Sequence, residues 1–265
     1  MNYLEVRSNL AEKVKKFQFL ERIRPTSLAS PVMAIAFPSR RTIEHEGMKL
    51  HIDPASHFGR TLLLTNCYEP ETTALFRKFV RKGDTVLDVG ANEGYFSTLA
   101  ACIVGEAGCV VAVEPQSALC DFIEINLALN ANCQTLIAHN ALDEVEGRKV
   151  VISLFPRSNS GASSIVNRYR WSAGSEVVES TTPDSLLRQI EKSRFDFVKI
   201  DVEGYEPEVV RSLPMKNVGT LLVDYHGSIL AKRGIDPDEI HRLILKTHEA
   251  IQGSLESGYL VYQPK

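Results

Sequence analysis

The sequence predicts an α/β protein with a mostly parallel sheet that is covered by helices on both faces. From Gly83 onward, short apolar runs typical of strands alternate with longer segments in which apolar residues recur at helical spacing. Such an alternation implies a parallel sheet, because each crossover between parallel strands carries a helix. A turn with two glycines follows the first run, at the strand end where folds of this class bind ligands.

The chain before Gly83 has a different pattern. Residues 3–23 show apolar side chains at helical spacing, and residues 26–66 are typical of short strands and turns, such as the strand in "KLHIDP". The segment "EPETTALFRKFV" is predicted to be a helix with a proline in its first turn. We assign residues 1–47 to an N-terminal helical or irregular extension and residues 48–265 to the main domain.

The elements after Gly83 follow in a regular order. The first strands are "TVLDVG", "CVVAVEP" and "TLIAHNAL", and the helices between them are "EGYFSTLAACIV" and "SALCDFIEINLALN". The order breaks near residues 150–182, where the strands "KVVISLF" and "EVVESTT" enclose a polar stretch and form a predicted β insertion. It resumes with the strands "FDFVKIDVEG" and "GTLLVDYHG", followed by one long helix, "DPDEIHRLILKTHEAIQ", and a last strand, "GYLVYQ".

The composition narrows the classes of function. The 265 residues carry a formal net charge of -3, which argues against nucleic acid as the main partner because phosphate binders present a basic surface. Five cysteines without a Cys-x-x-Cys pair disfavour structural zinc and a disulfide framework. No apolar stretch approaches the length of a membrane span. We therefore expect a cytoplasmic protein with no membrane or nucleic-acid partner.

The turn in "VLDVGANEGYF" (86–96) indicates the class of cofactor. Gly90 and Gly94 let the backbone turn sharply and approach a ligand, and the following helix begins with free N–H groups. The turn lacks the Gly-x-Gly-x-x-Gly pattern of dinucleotide sites. Asp88, with Glu93 nearby, would repel phosphate and suits an amino group, so S-adenosylmethionine (SAM) fits better than NAD. The simpler interpretation is that Asp88 only caps a helix.

The next two strand ends add further candidate cofactor ligands. Glu114 ends the second strand 20 residues after Gly94, the distance expected for an acid that accepts hydrogen bonds from ribose hydroxyls. Asn140 follows the third strand and is positioned to reach the adenine edge. Ala91 and Asn92 complete the predicted cofactor loop. The alternative for Glu114 is an exposed acid in a loop.

A second group of charged residues follows the strand in "FVKIDVEGYE". Lys199, Asp201 and Glu203 alternate along the chain, and on a strand they would share one face, where charges are costly unless paired. The following strand ends with Asp224 and His226. Because neighbouring parallel strands end at the same edge of a sheet, we expect these side chains to lie close together.

Three interpretations of this charged group remain open. In the favoured one, His226 or a carboxylate takes the proton from a substrate hydroxyl, with Lys199, Asp201 and Glu203 as further catalytic candidates. In the second, Asp201 and Asp224 bind a divalent metal ion such as Mg²⁺, which lowers the pKa of the hydroxyl. In the third, the group is a buried salt-bridge network that only fixes the geometry of the sheet.

The longest motifs resemble the FkbM family of SAM-dependent methyltransferases. The similar segments run from about residue 48 onward and include "VLDVGANEGYFSTLAA", "VVAVEPQ" and "FVKIDVEGYEPEVV". The resemblance implies a class I, Rossmann-like methyltransferase sandwich with a seven-stranded sheet, and O-methylation of sugars or other natural-product scaffolds. It carries two sets of positions over to this chain: the cofactor residues Asp88, Gly90, Asn92, Gly94 and Glu114, and the second signature Lys199, Asp201, Glu203 and Gly204.

Three regions depart from the family pattern or lie outside it. The family often has Glu at the position of Asp224, and the short C-terminus suggests that one strand of the last antiparallel pair is short or replaced. Residues 1–47 are not covered and would serve as a lid, a substrate platform or the contact of a homodimer. The polar part of the insertion is the expected specificity element, although its composition equally suits a disordered loop; its candidate acceptor contacts are Asn159, Ser160, Ser163, Ser164, Tyr169 and Trp171.

The sequence therefore predicts a SAM-dependent O-methyltransferase (EC 2.1.1) that acts on a small hydroxyl-bearing acceptor. Two alternatives from other classes remain: a nicotinamide-dependent oxidoreductase, and a catalytically silent binding protein on the same fold. Two further histidines, His241 and His248, are expected on the surface of the last helix.

Overall fold

The computed structural model describes residues 39–156, 161, 163–166 and 173–265. Its strands are β1 (Arg41–His45), β2 (Met48–Ile52), β3 (Thr85–Val89), β4 (Cys109–Val113), β5 (Gln134–Ala138), β6 (Ala141–Leu142), β7 (Lys149–Leu154), β8 (Gly174–Thr181), β9 (Phe195–Ile200), β10 (Val218–Asp224), β11 (His248–Ser254) and β12 (Tyr259–Pro264). Its α-helices are α1 (His57–Thr65), α2 (Pro70–Phe79), α3 (Tyr95–Val104), α4 (Ser117–Asn130), α5 (Pro183–Gln189), α6 (Glu206–Ser212), α7 (Gly227–Lys232) and α8 (Pro237–Ile244).

A seven-stranded sheet forms the centre of the fold, in the order β11-β12-β10-β9-β3-β4-β5. The strands from β10 to β5 are parallel to their neighbours, whereas β12 is antiparallel to both β10 and β11. This order confirms the predicted class I methyltransferase fold class. The last antiparallel pair is present in full, with seven residues in β11 and six in β12.

The register of the parallel strands brings their functional ends together. Asp88 on β3 lies opposite Ala112 on β4 and Lys199 on β9, and Val223 on β10 lies opposite Ile200. Every residue of β3 and β4 is buried, because helices cover both faces of the sheet. The turns that follow β3, β4, β9 and β10 therefore meet at one edge.

Two apolar layers hold the helices against the sheet. On one face, α3, α4 and the β1–β2 hairpin pack around Phe76, Leu99 and Ile123. On the other face, α5, α6 and α8 pack around Leu186 and Val209. Burial of each large apolar side chain contributes about 1.5–3 kcal/mol, which makes these layers the main source of rigidity behind the strand ends.

The N-terminal part of the described chain differs from the prediction at one helix. The β1–β2 hairpin is antiparallel, and its turn contains the predicted boundary between residues 47 and 48, so the domain limits stay a prediction. Residues 57–65 form α1 rather than strands and turns, because the Ser56 hydroxyl accepts a hydrogen bond from the Gly59 N–H and caps the helix.

A small sheet in the order β6-β8-β7 forms the predicted β insertion. β8 pairs with β6 in parallel and with β7 in antiparallel orientation. Four of the predicted acceptor contacts lie outside the described residues: Asn159, Ser160, Tyr169 and Trp171.

The predicted long C-terminal helix is wrong beyond Ile244. α8 ends there, and residues 248–254 form β11, which gains its backbone hydrogen bonds from β12. His248 is buried rather than exposed, with Nε2 3.2 Å from the carbonyl oxygen of Val218. His241 does lie on α8, half-buried, with Nδ1 2.8 Å from the Tyr262 hydroxyl. No helix among the described residues is long and apolar enough to cross a membrane.

Candidate active site

A cavity of about 400 Å³ lies at the carboxyl ends of β3, β4, β9 and β10. Its wall is completed by α1, by the segment before α2 and by the described residues of the insertion. Residues predicted for the cofactor and residues predicted for catalysis both line it, as the fold class requires. We call the part around Glu114 the cofactor end and the part around Asp201 and Asp224 the acceptor end.

The turn after β3 is held by close backbone contacts. Gly90 has φ +80, and a Cβ at this position would lie 1.8 Å from the carbonyl oxygen of Asp201. The N–H groups of Gly90 and Ala91 both donate to the carbonyl of Val113, at 2.9 and 3.2 Å. Gly94, with φ +82, begins α3 in the left-handed region. Glycine at residue 90 is therefore required by the approach of the β9 turn as well as by its own φ.

Asp88 lies behind this turn and not on the cavity wall. Its side chain is fully buried, accepts a hydrogen bond of 2.7 Å from the Ser97 hydroxyl and lies 3.6 Å from the Lys199 ammonium. In the part of the chain that the structure describes, Asp88 does not line the cavity. The expected direct contact between Asp88 and the amino group of SAM stays a prediction. Glu93 does line the cavity, but burial raises its pKa to about 8, so it does not supply the second negative charge expected at neutral pH.

Glu114 is the central carboxylate of the cofactor end. It accepts hydrogen bonds from the N–H of Asn92 at 2.9 Å and from the N–H of Gln116 at 3.0 Å. Burial raises its pKa to about 7 against these stabilising bonds. Oε1 also accepts from the Gln116 side-chain amide at 3.3 Å, whereas Oε2 retains a lone pair for a ligand, and the predicted contact to ribose hydroxyls stays a prediction.

The remaining predicted cofactor residues flank this carboxylate. Asn140 lines the cavity and donates to the carbonyl of Glu179 at 3.0 Å, so the small sheet fixes its amide. Ala91 is buried and borders a smaller adjoining pocket together with Asn92. The structure thus brings Gly90, Asn92, Glu114 and Asn140 to one cavity.

The charged residues of the second group do converge. The Lys199 ammonium lies 3.0 Å from Asp201 Oδ2, and the His226 Nε2 atom lies 3.7 Å from Asp201 Oδ1 and 3.6 Å from Glu203 Oε2. The predicted shared strand face is wrong in detail, because β9 ends at Ile200 and Glu203 has a left-handed φ of +50. Asp201 and Glu203 instead reach the cavity from a turn.

Burial and mutual repulsion spread the pKa values of the carboxyl groups. Burial opposes ionisation of Asp201, but the charges of Lys199 and His226 outweigh it and lower its pKa. Burial raises the pKa of Glu203 to about 7, against the charge of His226, and raises that of Asp224 to about 6, with the charge of Asp201 acting in the same direction. The carboxyl groups of Asp224 and Glu203 therefore each gain or lose a proton near neutral pH.

The surroundings of His226 favour its protonated form. Its Nδ1 atom lies 2.7 Å from Oε1 of Glu206, a fully buried carboxylate at the start of α6 that also accepts from the Gly204 N–H. Burial alone would lower the pKa of the imidazole, but the hydrogen bond to Glu206 and the charges of Asp201 and Glu203 raise it to about 9. An imidazolium has no free lone pair, so His226 would act as a base only after losing this proton, and its catalytic role stays a prediction.

The geometry leaves the metal interpretation open. Asp201, Asp224 and His226 each offer one ligand atom, and the three atoms lie within 4.8 Å of one another. Mg²⁺ prefers oxygen ligands, so the two carboxylates would be its first ligands, as predicted. The same distances suit a hydrogen-bonded network without an ion.

The sequence interpretation missed one wall of the cavity. His57, Phe58 and Thr61 on α1 line it, as do Tyr68 and Glu69 just before α2. The Ser56 cap followed by apolar residues at helical spacing was the available signal for α1. Nothing in the sequence pattern indicated that Tyr68 and Glu69 would face the cavity.

The described serines of the insertion connect both ends of the cavity. The Ser163 hydroxyl donates to Oε1 of Gln116 at 3.0 Å, and the Ser164 hydroxyl donates to the carbonyl of Glu203 at 2.9 Å. Ser163 also lines the cavity, whereas Ser164 does not. The described residues of the insertion thus form part of the cavity wall, while the role of the insertion in acceptor specificity stays a prediction.

Comparisons with known proteins relate the sequence of this chain to methyltransferases. The methyltransferase FkbM domain model matches residues 88–249. The hexuronic acid methyltransferase AglP of Haloferax volcanii is 24% identical over 66% of this chain and 67% of its own length. The ribosomal protein L11 methyltransferase of Pelotomaculum thermopropionicum is 34% identical over 40% of this chain, and the match spans only 33% of that protein's length. A structure of a Bacillus cereus O-methyltransferase in complex with SAH is 15% identical, with a TM-score of 0.45, over 75% of this chain and 83% of that one.

Proposed function

The chain belongs to the FkbM family of SAM-dependent methyltransferases, and from this premise we propose that it methylates a hydroxyl group of a sugar or natural-product small molecule. The main support for the proposal is a single cavity whose two ends differ in their polar groups. Glu114 and its backbone donors lie at the cofactor end, and the proton-accepting carboxylates lie at the acceptor end. This arrangement supports transfer of a methyl group to an oxygen whose proton must be removed.

At the cofactor end, the residues act by positioning. Glu114 would accept hydrogen bonds from the ribose hydroxyls, and Asn140, fixed by Glu179, would face the adenine edge. SAM supplies the electrophilic methyl group. The turn at Gly90 and Asn92 allows close backbone approach without a Cβ in the way.

At the acceptor end, we assign the base to Asp224. With SAM bound, the Asp224 carboxylate would accept the hydroxyl proton as the acceptor oxygen took up the methyl group that SAM supplies. A base with a pKa of about 6 is mainly ionised at neutral pH and still accepts a proton. Lys199 and the His226 imidazolium would keep Asp201 ionised beside it.

A divalent metal is the second candidate for activating the hydroxyl. The three ligand atoms of Asp201, Asp224 and His226 favour it, but His226 would first have to lose a proton that Glu206 and Asp201 stabilise. The base assignment needs no such change. Mg²⁺ therefore remains the minor alternative.

The acceptor is proposed to be a small molecule rather than nucleic acid. The net charge of -3 and the carboxylates around the cavity disfavour a polyphosphate chain. The name of the archaeal relative adds sugar acids to the acceptors worth testing. A homodimer and a cytoplasmic location stay predictions.

A methyl-transfer screen tests the function. The protein is incubated with SAM and a panel of sugars, nucleosides and polyketide-like alcohols, and mass spectrometry detects products that have gained one methyl group on oxygen. Titration calorimetry with SAM and with NAD runs in parallel. SAM binding without transfer to any acceptor would favour a silent binding protein, and binding of NAD alone would overturn the proposal.

A further inference from the structure

We propose that Asn126 is a positioning residue for the cofactor, because its buried amide holds the cofactor turn, residues 90–94 after β3, in the conformation that receives SAM. The inference rests on the proposed function and deepens it, since Asn126 would set the shape of the cofactor end without lining the cavity. Three observations support it: the hydrogen bonds of Asn126, the comparison with Asn130, and the backbone of the turn.

The side chain of Asn126 joins the β1–β2 hairpin to the cofactor turn. Asn126 lies on α4 and is fully buried. Its Oδ1 atom accepts a hydrogen bond of 2.6 Å from the His51 N–H. Its Nδ2 atom donates to the carbonyl of His51 at 3.2 Å and to the carbonyl of Glu93 at 2.9 Å. Both amide hydrogens are therefore used, one towards the hairpin and one towards the turn.

Asn130, one helical turn further along α4, provides a comparison within the same helix. Its Oδ1 atom accepts from the Lys49 N–H at 2.8 Å, and its Nδ2 atom donates to the Lys49 carbonyl at 2.7 Å. Lys49 and His51 alternate along β2, so the two asparagines together bind the edge of β2 that β1 leaves free. Within the described ranges, the bond to the Glu93 carbonyl distinguishes Asn126 from Asn130.

The peptide that Asn126 holds lies between the end of β3 and the start of α3. Asn92 and Gly94, on either side of Glu93, have left-handed φ values of +52 and +82. Regular secondary structure therefore does not fix the carbonyl of Glu93, and a buried carbonyl that loses its donor is costly. Without the Asn126 amide, the turn could keep this conformation only with that carbonyl unpaired.

The conformation of this turn matters for ligand binding. Asn92 and Glu93 both line the cavity. The N–H of Asn92 also donates to Oε2 of Glu114 at 2.9 Å, so the turn and the central carboxylate of the cofactor end depend on one another. A change at Asn126 would therefore reach the cofactor end through the backbone of the turn.

The other hydrogen bonds of the Asn126 amide act on a second wall of the cavity. His51 lies on β2, and the chain reaches the Ser56 cap of α1 shortly afterwards. His57 and Phe58 on α1 line the cavity. One buried amide therefore ties this wall to the cofactor turn.

Two matched variants test the proposal. Asn126→Leu and Asn130→Leu each replace an amide with an apolar side chain of similar size and remove two hydrogen bonds to β2, but only Asn126→Leu also removes the bond to Glu93. Titration calorimetry should give a SAM dissociation constant about tenfold higher for N126L and unchanged for N130L. The KM for SAM should rise in parallel, while kcat at saturating SAM is unchanged.

Urea denaturation separates this effect from a loss of stability. Both variants should unfold at a lower urea concentration than the wild type, since both weaken the attachment of the hairpin, and calorimetry is run where both are folded. Equal SAM dissociation constants for N126L and N130L would overturn the inference, because Asn126 would then only attach the hairpin. A wild-type protein that binds no SAM would instead contradict the proposed function.

The wild-type protein gives a second measurement, which decides the matter even if N126L does not fold. In heteronuclear NMR spectra, the side-chain NH₂ signals of Asn126 should shift when SAM is added, because one of its hydrogens is bonded to the turn that meets the ligand. The corresponding signals of Asn130 should stay in place. Asn126 signals that do not move on saturation with SAM would overturn the inference.

Discussion

The two ends of the cavity are built in different ways. At the cofactor end, one carboxylate is surrounded by backbone N–H groups and glycine turns, and Glu114 has no cation within its hydrogen-bonding set. At the acceptor end, Lys199 and His226 face several carboxylates. Backbone donors fix the position of one carboxylate, whereas facing charges couple the protonation states of several groups. The first arrangement suits a constant cofactor, and the second suits proton transfer from a variable acceptor.

The largest effect is expected from Asp88, which is buried behind the turn after β3 and pairs with Lys199. Asp88→Asn keeps the shape of the side chain but leaves the buried Lys199 with one carboxylate fewer. We expect the free energy of unfolding to fall by about 3 kcal/mol, since the buried Lys199 keeps only Asp201 as a carboxylate partner and the Ser97 hydroxyl loses a charged acceptor. Urea denaturation measures it, with Asp121→Asn on the exposed face of α4 as control. Coincident curves for D88N and wild type would show that the pairing contributes nothing.

The next effect separates catalysis at the acceptor end from binding at the cofactor end. Asp224→Asn removes the proposed base and should lower kcat by about a hundredfold without changing SAM affinity. Stopped assays give kcat, and calorimetry gives the affinity. An unchanged kcat would move the base to Glu203, while a loss of SAM affinity would contradict the separation of the two ends.

A smaller effect, on SAM affinity rather than on kcat, is expected at the cofactor end. Glu114→Gln places an amide where two N–H donors now meet carboxylate oxygens, so one of them loses its acceptor. We expect the SAM dissociation constant to rise about tenfold, the cost of one unmade buried hydrogen bond. Calorimetry measures it, and Glu124→Gln on the exposed side of α4 serves as control. A change confined to the acceptor KM would reverse the assignment of the two ends.

The pH dependence of kcat/KM tests whether the base lies at the acceptor end. A base must be deprotonated to act, so kcat/KM should fall as the pH drops through about 6, the pKa of Asp224. Because burial raises this pKa above the ordinary value, the acid limb lies higher than for an exposed aspartate. The measurement is a rate profile at constant ionic strength. A limb that tracks an ordinary carboxyl pKa would mean that the base is exposed.

The smallest effect is expected from chelation. If a carboxylate removes the proton, EDTA should leave the rate unchanged and Mg²⁺ should add nothing. An inactive chelated enzyme that recovers with Mg²⁺ would instead support the Asp201–Asp224 metal site.

The sequence alone predicted the features that depend on the local pattern of apolar and polar residues. Strand ends were predicted because β3 and β4 are mainly apolar, with Asp88 next to the last residue of β3 and Glu114 directly after β4. The order of strands then placed both groups at one edge of the sheet. β11 was missed because its segment has no strong alternation and is stabilised as a strand only by β12. A pairing of that kind is a tertiary effect that local propensity does not report.

Protonation states could not be predicted from the sequence, because they also depend on tertiary contacts. His226 has the ordinary pKa of a base when considered alone, but Glu206, contributed by α6, turns it into a cation. The wall at Glu69 was missed because its orientation depends on how α2 packs, not on the residues beside it. The sequence therefore predicted which residues lie close together at the strand ends. It did not predict how these residues shift one another's pKa values.

The contact between Gly90 and Asp201 has an evolutionary consequence. A side chain at residue 90 would collide with the carbonyl oxygen of Asp201, so the two signatures, more than a hundred residues apart, form one steric unit. A lineage that replaced this glycine would have to reshape the turn after β9 in the same step. Because the collision is with a backbone carbonyl, the constraint falls on residue 90 and on the path of the turn, while the side chains of the second signature are free to change.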